Sequence, residues 1–110
     1  MSSPDFKKAY VPKQKISDYL LSETHAVGKE KARYFRSIGY TEKHTDHLAE
    51  ALLMIAKSEK VSQEIASPYG TKYIIDGEID TPLGTTARLR TVWVVEPYDE
   101  LPRFVTAYPI

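Results

Sequence analysis

His25, Gly28 and Lys31 follow one another at three-residue intervals, and residues of these types in this order could handle a phosphate. Gly28 stands where the chain must turn into a helix, and the free backbone N–H groups of a helix start attract anions. His25 lies just ahead of that start, and imidazole exchanges protons near neutral pH. Lys31 is the odd member. At about 100° per residue, it falls between Phe35 and Ile38 inside an apolar stripe, whereas Lys29, Arg33 and Arg36 share the opposite, solvated face. An anion at the helix start would give a lysine on the core-facing side its reason. A plainer reading stands beside this one. A first-turn lysine can lay its stem over apolar surface and keep its amine in water, and His25 can be a loop residue.

The element that must position these groups runs from Thr24 to Tyr40. Ala32, Phe35 and Ile38 recur at helical spacing, with Tyr34 on the flank. Gly39 suits a left-handed cap, and Tyr40 suits the hydrophobic residue that packs back on the last turn. Thr41 is a good N-cap for a second helix, from Glu42 to about Ser58. Leu48, Ala51, Leu52 and Ile55 share one face of it, and Lys43, Asp46, Glu50 and Lys57 the other. Ahead of both helices, residues 1–13 read as a loose arm interrupted by Pro4 and Pro12, extended over Ala9–Val11. Ile16–Leu21 reads as a turn or two of helix.

After Ser58 the period changes from helical to alternating. Strands are expected at Lys60–Ala66, Thr71–Ile79, Thr85–Val95 and Arg103–Tyr108, separated by turn signals at Ser67–Gly70 and Thr81–Gly84 and by a loop with two prolines. In the longest strand Ala87, Leu89, Thr91, Trp93 and Val95 face one way. Arg88 and Arg90 alternate on the other face. In the last strand Phe104, Thr106 and Tyr108 share a face. One pairing register sets Arg90 beside Tyr108, and a slip of one residue puts Thr91 and Trp93 there instead. Helices followed by hairpin-linked strands predict an α+β fold. N-terminal helices should pack on a roughly four-stranded antiparallel sheet formed by the C-terminal half, with residues 14–110 as one domain.

Other constellations carry less. His44, His47 and Glu50 lie on successive turns of the long helix, but three residues of one helix do not surround an ion, so no metal site is expected. Ser, His and Asp are present without a strained nucleophile elbow, and no glycine-rich loop cradles phosphates, so no cofactor is expected. The chain has 110 residues, a formal net charge of zero and no cysteine. There is no global basic field to bind nucleic acid or membrane, no thiol nucleophile and no disulfide framework. With no membrane-length apolar run and no signal-peptide core, the expected location is the cytoplasm, without membrane association.

The pattern His25-x-x-Gly28-x-x-Lys31-Ala32-x-x-Phe35, with Tyr69-Gly70-x-Lys72-Tyr73, Gly77, Pro82-x-Gly84, Trp93 and Val105-Thr106-Ala107-Tyr108-Pro109, resembles an uncharacterised family of small bacterial domains over residues 12–110. The layout and the closing Val-Thr-Ala-Tyr-Pro are similar to the barnase–EndoU–colicin–RelE superfamily of metal-independent ribonucleases, many of them toxins. That resemblance implies RNA as a partner, together with a cognate antitoxin or immunity protein. It implies His25 as general base or acid, Lys31 as the charge stabilising the transition state, and Thr106 and Tyr108 as groups that hold and orient the phosphate or stack on a base. Arg90 is implied as a phosphate ligand, and Gly28 belongs to the same substrate corner. Neutral net charge departs from strongly basic ribonucleases, and the C-terminal half lacks a second histidine. The reading from a different class is a non-catalytic protein-binding module, or the partner protein of such a toxin.

Overall fold

The computed structural model describes residues 4–17, 21 and 29–110. Strands β1 (Val61–Ser67), β2 (Gly70–Asp80), β3 (Thr86–Val95) and β4 (Arg103–Pro109) form one antiparallel sheet in the order of the sequence. Before them come α1 (Lys13–Lys15), α2 (Lys29–Ser37) and α3 (Thr45–Ser58), with 3-10 turns at Phe6–Lys8 and Glu42–His44. The fold is α+β, as the periodicity predicts.

One face of the sheet carries the core. Tyr73, Ile75 and Ile79 of β2, Ala87, Leu89, Thr91 and Trp93 of β3, and Phe104 and Ala107 of β4 are all buried there. Leu48, Leu52, Ile55 and Ala56 bring the apolar stripe of α3 into the same cluster, and Phe35 brings that of α2. Burying a side chain of this size contributes about 1.5–3 kcal/mol. The buried Thr91 is satisfied: its hydroxyl donates to the Ile75 carbonyl at 2.6 Å and accepts from the Trp93 indole N–H at 2.8 Å. α3 crosses β2 closely at Gly77, where a Cβ would stand 2.9 Å from Ile55 Cγ1 and 3.1 Å from Cγ2.

The end of α2 follows its sequence signature. Gly39 has φ +105°, its N–H donates to Arg36 at 3.1 Å, and the Tyr40 N–H donates to Phe35 at 3.0 Å. These two bonds make a Schellman cap, and the Phe35 and Tyr40 rings meet edge to face at 6.2 Å as its hydrophobic contact. Thr41 then caps a 3-10 turn, so α3 proper starts at Thr45. His44 replaces the usual glutamate of the capping box, its Nδ1 accepting the Thr41 N–H at 3.1 Å.

Two sequence expectations shift. The short helix begins at Lys13 and not at Ile16, because Pro12, with φ −60°, sits ready as its N-cap. Ile16 is buried as expected, and Leu21 is buried as well; Tyr19 and Leu20, also expected to face inward, lie outside the described residues. In β4, Phe104 does not share a face with Thr106 and Tyr108. An irregularity in the ladder at Val92/Trp93 sets Phe104 opposite Trp93 but Thr106 opposite Val92. One extra residue reverses which side the chain presents. From Pro4 onward the N-terminal arm lies against the sheet. Phe6 meets Tyr73 edge to face at 5.4 Å, and Tyr10 bridges to the edge of β4 through bonds to Pro102 and Phe104 of 3.0 Å each. β1, at the opposite edge, is exposed along all seven residues.

Candidate functional site

The register across β2, β3 and β4 assembles the clearest polar group on the outer face of the sheet. Asp76, Arg90 and Tyr108 stand in one row, with Ile74, Val92 and Thr106 in the next. This face is opposite the Trp93 side, so the open question of register resolves in favour of Arg90 beside Tyr108. Asp76 accepts two hydrogen bonds from Arg90, from Nε at 2.9 Å and from Nη2 at 3.0 Å. Those bonds hold the Asp76 carboxyl below the usual carboxylate range against the opposing effect of its burial, and they keep Arg90 charged. Tyr108 stands next to Arg90 across the ladder, and its proximity adds a small effect that favours the charged guanidinium. Thr106 sits beside it, half-buried.

Chemically, the row is a braced donor set. Asp76 fixes the guanidinium plane, the Tyr108 hydroxyl stands beside it, and an incoming oxyanion would meet a guanidinium already in place. The same bracing neutralises the face. Arg90 is matched by Asp76, and Arg88 faces Glu78 at 3.9 Å in an exposed pair. An exposed pair of this kind holds its partner loosely.

Lys31 belongs to the helix layer. It is half-buried on α2, on the side of the helix that carries the buried Ala32 and Phe35, as its spacing predicts. His25 and Gly28 lie outside the described residues. The structure therefore brings Arg90, Thr106 and Tyr108 together on one face of the sheet and sets Lys31 apart from them, on α2. Asp76 was missed by the sequence reading. The signal was there: Asp76 and Glu78 alternate before the Thr81–Gly84 turn as Arg88 and Arg90 alternate after it, which is the mark of cross-strand ion pairs.

His44 and His47 are structural. His44 is used by the Thr41 cap, and the His47 ring lies 5.6 Å from that of Tyr40. Among the described residues no group of three His, Asp or Glu side chains is arranged to hold a metal ion. No helix among them is long and apolar enough to cross a membrane.

A family described as "Domain of unknown function (DUF6883)" matches residues 3–110. No curated protein matches the chain. Among solved structures, a chain of a "Contact-dependent growth inhibition toxin - immunity protein complex from Klebsiella pneumoniae 342" is similar, with a TM-score of 0.73, 22% identity and 96% of each chain covered. At this identity the likeness is one of fold.

Proposed function

The chain belongs to the DUF6883 family, and from that premise we propose that it is the RNA-cleaving domain of a toxin system, working without a metal. The observation that carries this reading is the Asp76–Arg90–Tyr108 row with Thr106 beside it, a preset group of donors on a sheet face. Support comes from the shared fold with a chain of a toxin–immunity complex.

In this proposal His25 takes the proton of a ribose 2′-hydroxyl, and the 2′-oxygen forms a bond to the adjacent phosphorus. The bond from phosphorus to the 5′-oxygen breaks, leaving a 2′,3′-cyclic phosphate, and the departing 5′-oxygen takes a proton from solvent. Lys31 and the N–H groups near Gly28 stabilise the added negative charge. Thr106 donates to a phosphate oxygen. Tyr108, beside Arg90, donates to another or stacks on a base. Asp76 is a positioning residue.

One observation favours a second reading. Arg88 and Arg90 are each matched by a carboxylate, so the face carries little free positive charge for a polyanion, and a charge-balanced sheet face suits a protein partner. On that reading the chain is a binding module or the partner protein of a toxin.

The test is cleavage of total RNA, with chelator present, by the wild type and by His25→Ala, Lys31→Met and Lys29→Met. The expected result is cleavage by the wild type and Lys29→Met, with a loss on the order of a hundredfold in the other two. Undiminished cleavage by Lys31→Met removes that residue from the site. No cleavage by the wild type overturns the enzyme and leaves the binding module.

A further inference from the structure

A second surface lies at the end of the sheet where β2 begins and β3 stops. Thr71 pairs with Val95, so the β1–β2 turn and the β3–β4 loop emerge side by side. Tyr69 from the turn and Tyr98 from the loop are each 85% exposed, with Leu101 and Tyr10 partly exposed nearby. Solvent-facing tyrosines gathered at one end are the residue type that anchors protein interfaces.

The loop that carries them is braced. Arg103 donates to Glu96 at 2.7 Å across its base. The Asp99 side chain accepts the Leu101 N–H at 3.0 Å. Such a loop has little conformational freedom left to lose on binding. Beside it opens a cavity of about 390 Å³, walled by Tyr73, Val95 and Leu101 and edged by Asp5, Glu100 and Lys8. Its walls suit an aliphatic stem, and two carboxylates against one ammonium suit a cationic head.

We propose that this end of the sheet docks a partner protein presenting an arginine or lysine between apolar residues, its stem in the cavity and its charge on Glu100 and Asp5. The exposed tyrosines pack on the flanking apolar residues. Bases could also stack on Tyr69 and Tyr98, but Asp5, Asp99 and Glu100 would repel the phosphates of a nucleic acid, which favours protein as the occupant. Arg90 and Tyr108 lie further along β3 and β4, so this surface is separate from the proposed RNA site.

The probe is acetyl-Leu-Arg-Leu-amide, with the citrulline peptide as its uncharged control, titrated into isotopically labelled protein and followed by backbone amide shifts. Expected are saturable shifts at Val95, Glu100 and Leu101. Binding should weaken at least tenfold in Glu100→Lys and in Tyr98→Ala, both changes at exposed positions that leave the core untouched. The citrulline peptide should not bind. The proposal fails if the arginine peptide gives no saturable shift, if citrulline binds equally, or if Glu100→Lys changes nothing. It also fails if an oligouridine shifts these residues instead, or if they shift with protein concentration alone, which would mark a self-association face. RNA cleavage plays no part in this readout, so the two proposals stand or fall separately.

Discussion

Asp76 grips Arg90 across the β2–β3 ladder with both carboxylate oxygens. The folded carboxyl is held low chiefly by these hydrogen bonds, with the Arg90 charge adding to them. A carboxyl whose pKa is lower in the fold than in the unfolded chain contributes stability above the unfolded value, and that contribution is lost as pH falls through the folded one. Arg90 is partly exposed, so solvent screening keeps the contribution small. Asp76→Asn should therefore be less stable than the wild type at neutral pH, and the two should converge on acidification below the ordinary carboxylate range. Urea melts across that range check this. Parallel curves with no convergence would mean that the pair contributes nothing through its charge.

Gly77 tests the helix–sheet contact. Ile55 is buried and cannot swing away from a new Cβ. Gly77→Ala should cost about 1–3 kcal/mol through overpacking, read as a lower urea midpoint at unchanged slope. In an Ile55→Ala background the same change should cost much less, since the two nearest crowding atoms are gone and Glu59 Cγ, at 3.2 Å, remains. Equal cost in the two backgrounds would place the effect elsewhere.

The Thr91–Trp93 pair tests a buried polar bond. Trp93→Ala should destabilise by roughly 3–5 kcal/mol, and native fluorescence should be blue-shifted and shielded from quencher. Thr91→Val keeps the shape but leaves the indole N–H without its acceptor, at a cost of about 1–3 kcal/mol. A neutral Thr91→Val would show that the indole finds another partner.

What could be read in advance was whatever a single segment encodes. The Gly39–Tyr40 cap and the inward row of Ala87, Leu89, Thr91 and Trp93 are local patterns, and both are present in the fold. The irregularity at Val92/Trp93 was not legible, because one unpaired residue leaves no mark in the alternation of either strand. It decides which face Thr106 and Tyr108 occupy. Arg90 was legible as a candidate, but its coupling to Asp76 depends on a pairing between strands that neither strand declares alone. The role of Lys31 depends on what an amine meets in space. Spacing gives only the side of the helix.

β1 has a consequence for how the molecule opens. All seven of its residues are exposed, so it is held by its ladder to β2 and by almost no buried surface. Local stability should grade across the sheet, with β1 amides exchanging with solvent through cheap partial openings and those of β3 only on global unfolding. The same strand can absorb substitutions that the other three cannot. A surface bonded chiefly through its backbone and exposed in its side chains can be rewritten from one relative to the next while the core stays fixed.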